Sequence, residues 1–173
     1  MVAFTLENVS AFMGSLLSSE AFDSFGVHEI TIMKGFNLII EGNQAAGAGS
    51  EPPASTAAVE EPAAGGAAPA AGPVLYGTVR ALCFDAVKGK VLPEFMRFIL
   101  TAPSGTVKQL AAESGEAVDE ANILSMALNI TYRNGTITVT SGTSAKDIFA
   151  GKAVDMAWGN AVRKLLSGYG IND

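Results

Sequence analysis

Residues able to do acid–base, nucleophilic or metal chemistry are scarce in this chain of 173 residues, which contains one histidine, His28, and one cysteine, Cys83. A structural zinc site needs about four nitrogen or sulfur ligands, and nucleophilic catalysis needs a nucleophile beside a base, so neither pattern is present. We therefore predict no catalytic residue, no metal ligand and no cofactor. We interpret His28 as a surface or hairpin-end residue. Cys83 lies on the apolar stripe of a predicted helix and is interpreted as a small buried hydrophobe, although Arg80 and Lys88 are close enough in sequence to leave a reactive thiol as the alternative.

Two short segments could instead bind an anion. One is a predicted helix end that carries Arg80, Lys88 and Lys90, and the other is TSGTS, in which Thr143 and Ser144 offer hydroxyl and backbone N–H donors beside a glycine. Neither GxxxxGK[ST] nor GxGxxG after a strand is present, so no nucleotide motif supports the site. The alternative is that Lys88 stabilises the C-terminal end of its helix and TSGTS merely ends a strand.

The charge of the chain argues against polyanionic partners. Lys and Arg number 11 against 17 Asp and Glu, for a net charge of −6, and no long basic run occurs. Counterion release from nucleic acid and attraction to anionic lipid both need clustered cations, so we predict no nucleic-acid and no membrane partner. Glu7 interrupts the start of the chain where a signal peptide would be apolar, and a lone cysteine forms no internal disulfide, so we predict a cytoplasmic protein.

The N-terminal part of the chain predicts one helix and one β-hairpin. Asn8 is a favourable N-cap for a helix over VSAFMGSLLSS. HEITIMKGFNLIIEG then alternates apolar and polar residues on both sides of Lys34–Gly35, which we interpret as an ordinary hairpin turn. The apolar residues predicted to be buried in this hairpin are Ile30, Ile32, Phe36, Leu38 and Ile40.

The C-terminal part predicts three helices and three strands. The first helix ends near Gly89 and buries Val79, Leu82, Cys83, Ala86 and Val87, and a strand after Pro93 buries Met96, Phe98 and Leu100. A second helix begins near Ser104. Asn134–Gly135 is the preferred pair for a type I′ turn, so ILSMALNITYRNGTITVTSG predicts a hairpin. Its buried face is Leu124, Met126, Leu128, Ile130, Tyr132, Ile137 and Val139. The last helix runs from about Val154 to Leu166.

Hairpins rather than repeated βαβ units favour an α+β fold, with an antiparallel sheet of about five strands and about four helices packed mainly on one face. Residues 44–73 interrupt this pattern, because 22 of the 30 residues are Ala, Gly or Pro. Such a tract buries too little apolar surface to order itself, so we predict a mobile loop. Residues 1–43 are too few to fold alone, whereas lengthening a loop from about 5 to about 30 residues costs only ~1.6 kcal/mol. We predict one domain over residues 1–173, interrupted at 44–73.

Four segments carry a resemblance to a known group of proteins, namely FMGSLLSSEAFDSF, VRALCFDAVKGKVLPEF, NITYRNGTITVTSGTS and DMAWGNAVRKLL. Together they resemble an uncharacterised family of small bacterial, Firmicutes-type proteins of unknown function, whose members have a shorter loop in place of the Ala/Pro/Gly tract. The resemblance implies a bacterial cytoplasmic protein and an inserted loop. It implies no activity and assigns no residue a role.

Two functions follow as hypotheses. The first is a non-catalytic binding or interaction protein, rather than an enzyme, whose protein or small-molecule partner is unknown. It would use the basic helix end or the polar face of the sheet, which carries Asn129, Thr131, Thr136 and Thr138. The alternative is an enzyme or sensor that acts on a small anionic, phosphorylated ligand. Its contacts would be Arg80, Lys88, Lys90, Thr143 and Ser144.

Overall fold

A computed structural model describes residues 1–42, 73–114 and 120–172. In chain order its elements are β1 (Val2–Leu6), α1 (Val9–Ser18), β2 (Gly26–Met33), β3 (Asn37–Glu41), α2 (Tyr76–Val87), β4 (Phe95–Thr101), α3 (Thr106–Ser114), β5 (Ile123–Arg133), β6 (Thr136–Ala145), α4 (Ile148–Leu166) and β7 (Ile171–Asn172). The predicted mobile tract lies outside the described residues, apart from Pro73.

The strands form one antiparallel sheet in the order β3-β2-β4-β5-β6-β1-β7. The predicted α+β class is confirmed, and the described residues contain four helices as expected. The strand count is higher than the five predicted, because β1 pairs with β6 and the two-residue β7 pairs with β1 at the sheet edge. All five predicted strands are present.

One face of the sheet forms the hydrophobic core. Residues paired across five neighbouring strands bury an apolar row, which is Ile30, Phe98, Ile130, Val139 and Phe4. Buried side chains of α1, α2, α3 and α4 join the same cluster. Trp158 fixes α4 to β5, because its indole Nε1 donates a hydrogen bond to the carbonyl of Ala127 at 3.0 Å.

Several local predictions are confirmed by the geometry of the turns and caps. The Asn8 side chain accepts a hydrogen bond from the Ala11 N–H at 3.2 Å and so caps α1. Asn134 and Gly135 have φ values of 51° and 79°, as a type I′ turn requires. Gly89 follows the end of α2 with φ 122°, a conformation that glycine adopts without steric cost.

Three residues predicted to be buried are exposed instead. Phe36 lies in the hairpin turn before β3 begins, where its carbonyl accepts the Lys34 N–H. Leu124 lies within a register shift between Ile123 and Ser125, so the buried alternation of β5 begins only at Met126. Leu82 lies beside the buried stripe of α2, which is narrow because α2 packs against the core through Tyr76 and Cys83. The last helix also begins at Ile148, earlier than predicted.

Candidate functional site

The N-terminal end of α2 lies beside the C-terminal end of α1, because the Tyr76 hydroxyl donates a hydrogen bond to the Leu16 carbonyl at 3.0 Å. Further along, the two helices do not close against each other. Between them lies a hollow of about 440 Å³, which we call the apolar groove. Its volume is within the range of small-molecule binding sites, about 300–1,000 Å³.

One wall of the apolar groove is a face of α1. The lining residues Val9, Met13 and Leu17 recur every four positions and therefore share that face, while Phe12 and Leu16 point into the core. Gly14 also lines the groove, and a Cβ built on it meets nothing within 4 Å. The α1 helix thus presents apolar side chains both to the core and to the groove.

The opposite wall comes from the end of α2 and the loop that follows it, through Phe84, Val87, Leu92 and Pro93. Met96, Tyr132 and Gly135 also line the groove. Phe84 is 43% exposed and Leu92 is 72% exposed, so two large apolar side chains are left in contact with solvent at the groove. The polar side-chain groups among the residues that line the groove are hydroxyls, and they belong to Ser10, Ser18 and Tyr132.

A second hollow, of about 260 Å³, adjoins the groove and is lined by a cation. Leu17, Ser18 and Phe84 line both hollows, and Arg80 and Ala81 complete the second one. Arg80 Nε lies 3.4 Å from Asp23 Oδ1, and the Arg80 side chain is 23% exposed. Arg80 Nη1 is buried and has no hydrogen-bond partner in the described part of the chain. We call this the Arg80 hollow.

The other two cations of the predicted anion site lie at the far end of α2. Lys88 Nζ donates to Asp85 Oδ1 at 2.7 Å, and Lys90 is exposed in the following loop. The helix C-terminus is instead stabilised by Lys34, whose ammonium donates to the carbonyls of Val87 and Lys88 at 2.8 and 2.6 Å. The hairpin-turn lysine therefore fills the role that the sequence analysis considered for Lys88.

Thr143 and Ser144 do not lie with Lys88. In the sheet, Met33 shares a row with Phe95, Arg133 and Thr136, so the Lys34 turn is at the Thr136 end of β6. Thr143 lies seven residues further along β6, which is roughly 23 Å at the rise of a β-strand. One small ligand therefore does not contact both segments.

Thr143 lines a separate hollow of about 410 Å³ near the start of α4, together with Lys152, Asp147 and Asp155. The Thr143 hydroxyl is buried without a hydrogen-bond partner among the described residues. The two carboxylates in this hollow make it unfavourable for an anion. Of the five predicted contacts, Arg80 is the one that lies beside the apolar groove.

Cys83 is fully buried on the core side of α2, as the sequence analysis expected. Burial raises the pKa of its thiol to about 12, so the thiolate is disfavoured at neutral pH. His28 is exposed on β2. Within residues 1–42, 73–114 and 120–172, no three His, Cys, Asp or Glu side chains are grouped to hold a metal ion.

The polar face of the sheet is the other surface proposed from sequence. Thr131 and Thr138 are paired on it and half-buried, and Asn129 Oδ1 is buried without a partner among the described residues. Arg97 on the same face donates a hydrogen bond to Glu29, which holds the pKa of that carboxyl below its ordinary value of 4.5. Glu29 also lines a hollow of about 550 Å³ together with His28, Glu41 and Gly42, so that hollow is polar whereas the groove is apolar.

The sequence analysis missed the apolar groove. The available signal was the width of the apolar surface of α1, where Val9 and Met13 flank the core residues Phe12, Leu16 and Leu17. A helix that packs against the core on a single side requires a narrower apolar stripe than this. The second wall of the groove is more than 60 residues away in sequence, so periodicity did not reveal that the two surfaces face each other.

No helix in the part of the chain that the structure describes is long and apolar enough to cross a membrane.

Comparison with known proteins gives a family and no activity. No curated protein and no solved structure matches the chain. A family model described as a family of unknown function (DUF5721) matches residues 15–172, which include every element from the second half of α1 to β7. The chain therefore belongs to the DUF5721 family of unknown function.

Proposed function

We propose that the protein is a non-catalytic binding protein and that its ligand occupies the apolar groove. The observation that carries this proposal is the groove itself, a preformed hollow of about 440 Å³ with walls that are mostly carbon. Removing apolar surface from water gains about 25 cal/mol per Å², so such a site binds an apolar molecule mainly through its shape and burial. The described residues that line the groove include no pair of groups suited to acid–base chemistry.

The exposure of Phe84 and Leu92 supports the same site. Large apolar side chains in contact with solvent beside a cavity are typical of interaction sites rather than of ordinary surface. In the unliganded protein their exposure is unfavourable, and a bound apolar molecule covers them. This argument favours the groove over the polar face of the sheet, which carries paired threonines and the Arg97–Glu29 ion pair.

The anionic-ligand hypothesis retains fewer contact residues than the five predicted from sequence. Its five contacts do not surround one site, because Lys88 and Thr143 lie at opposite ends of the sheet. Arg80 is the contact whose hollow adjoins the apolar groove, whereas Thr143 lines a hollow that also contains two carboxylates. The cytoplasmic location and the exclusion of nucleic-acid and membrane partners stay predictions from composition.

Binding of a neutral apolar dye, Nile red, tests the proposal, since its fluorescence rises in an apolar site. The blocking variant is Gly14→Leu, which places a side chain into the groove from a position with open space around its Cβ. Replacing a mid-helix glycine also favours the helix, so the variant is expected to fold. The matched control is Ala11→Leu, an exposed position of the same helix outside the groove.

We expect saturable Nile red binding to the unmodified protein and to Ala11→Leu, and at least tenfold weaker binding to Gly14→Leu. Thermal melting of all three proteins establishes that the blocked variant is folded. Equal binding of the dye to Gly14→Leu and Ala11→Leu would show that the groove is not the site.

A further inference from the structure

We infer that the ligand of the groove is a single-chain amphipath, with a hydrocarbon chain along α1 and an anionic oxygen head group at Arg80. This inference rests on the proposed function and adds the chemical class of the ligand. It joins two observations that are independent of each other, the apolar lining of the groove and the incompletely paired guanidinium in the hollow next to it.

The shape of the combined cavity suits a linear molecule. The groove follows α1 from Val9 to Ser18, which is roughly 13.5 Å at the rise of an α-helix. Leu17, Ser18 and Phe84 line both the groove and the Arg80 hollow, so the two spaces are adjacent. Arg80 therefore lies at one end of an elongated apolar space rather than at its middle.

The hydrogen bonding of Arg80 favours an anion at that end. A guanidinium has five N–H donors, and the ion pair of Arg80 with Asp23 joins Nε to Oδ1 at 3.4 Å, longer than an ordinary hydrogen bond. Neither Arg80 Nη1 nor Asp23 Oδ1 has a hydrogen-bond partner among the described residues, so the pair leaves both groups incompletely satisfied. The Arg80 side chain is also 23% exposed, and that exposed part lines the hollow. A carboxylate or phosphate oxygen is the acceptor that a guanidinium binds best, often through two parallel hydrogen bonds.

The other cations near the groove are less suited to this role. Lys34 uses its ammonium on the carbonyls at the end of α2, and Lys88 is paired with Asp85. Both lie at the C-terminal end of α2, two turns beyond Arg80. Lys88→Gln is therefore a matched control, because it removes an exposed cation from the opposite end of the same helix.

Competition with Nile red by decanoate, decanol and octanoate tests the inference on the full chain. We expect decanoate to compete at about tenfold lower concentration than decanol, since a charge-assisted hydrogen bond replaces a neutral one. Octanoate, two methylenes shorter, is expected to compete roughly fifteenfold less well than decanoate, from about fourfold per methylene. Decyl phosphate in place of decanoate distinguishes a phosphate from a carboxylate head group.

Arg80→Gln is expected to abolish the preference for decanoate over decanol while leaving decanol competition unchanged, and Lys88→Gln is expected to keep the preference. Because Arg80→Gln leaves Asp23 without its cation, the double variant Asp23→Asn/Arg80→Gln tests the same point without an unpaired carboxylate. Asp23→Asn alone removes the acceptor that competes with the ligand, so it is expected to strengthen decanoate binding severalfold.

Equal competition by decanoate and decanol, or loss of the preference in Lys88→Gln, would overturn the head-group assignment and leave the apolar groove standing. Failure of all three compounds to compete, together with unchanged dye binding by Gly14→Leu, would overturn the proposed function as well. If the groove is covered by a second copy of the chain, sedimentation shows a dimer that Gly14→Leu dissociates, and that outcome contradicts both proposals.

Discussion

At the scale of single residues, Cys83 and Phe84 show how one helix serves two surfaces. Cys83 is fully buried against the core, and the next residue, Phe84, is 43% exposed at the groove. The same helix face continues to Arg80, one turn before Phe84, so the apolar and the cationic contacts of the proposed ligand are four residues apart. In the proposed ligand, the head group that binds Arg80 and the part of the hydrocarbon chain that contacts Phe84 must therefore be about one helical turn apart.

The buried thiol of Cys83 is predicted to be unreactive in the folded protein. The thiolate is the reactive form, and burial raises the pKa of this group to about 12. We expect iodoacetamide at neutral pH to leave Cys83 unmodified for as long as the protein stays folded, and to alkylate it fully in urea, as measured by intact mass. Rapid alkylation without urea would mean that α2 opens readily or that Cys83 has the reactive character considered from sequence.

At the scale of elements, the end of α2 is fixed by a residue distant in sequence. Lys34 in the β2–β3 turn donates to the carbonyls of Val87 and Lys88, which would otherwise lack helical partners. A cation at this position also interacts favourably with the helix dipole. The turn of the first hairpin therefore holds in place the α2 segment that forms one wall of the groove.

Lys34→Met is predicted to destabilise the protein by about 1–2 kcal/mol, because it removes two hydrogen bonds from a charged donor while keeping most of the apolar stem. Urea denaturation measures this change. The control is Lys90→Met, at an exposed position in the adjacent loop, which is expected to change stability by less than about 0.5 kcal/mol. Equal effects of the two substitutions would contradict a specific role of Lys34.

Most elements were predictable from sequence because their signals are local. The caps and turns at Asn8, Gly89 and Asn134–Gly135 depend on the conformations of one or two residues, and all three are as predicted. The strand β1 also alternates, with Phe4 and Leu6 buried, but it is short and its partner β6 lies more than 130 residues away. The two residues of β7 are too few for any periodicity.

The candidate site was less predictable than the fold, for a physical reason. Arg80 was predicted as a possible contact because a charged residue on a predicted helix is evident from the sequence without any knowledge of tertiary packing. The groove depends on how far apart α1 and α2 pack, and residue spacing within either helix does not determine that separation. The sequence therefore identified Arg80, at one end of the proposed site, and did not reveal the apolar groove beside it.

At the scale of the whole molecule, both sides of the Ala/Pro/Gly tract contribute to the same core. Phe12 and Ile30 precede the tract, Phe98 and Trp158 follow it, and all four belong to one buried cluster. The flanks of the tract also converge on adjacent residues of β2. Gly42 N–H donates to the His28 carbonyl at 3.0 Å, and Val27 N–H donates to the Val74 carbonyl at 2.7 Å.

This convergence supports the prediction that residues 44–72 are an insertion within one domain. Replacing them with a short Gly/Ser link should therefore preserve the fold and raise stability by at most ~1.6 kcal/mol, from the lower entropy of closing a shorter loop. Urea denaturation measures the stability. Nile red binding should be unchanged, because β2 runs from the tract flanks at Val27 to Met33, and the groove lies toward the Met33 end.

A second variant separates the length of the tract from its sequence, since a Gly/Ser segment of the same length keeps the closure entropy and removes the Ala and Pro residues. We expect this variant to match the unmodified protein in stability. If both replacements fail to fold, the tract contributes structure that its composition does not suggest. If only the short link fails, the flanks need more chain than their approach to Val27 and His28 implies, and the insertion is a spacer of required length.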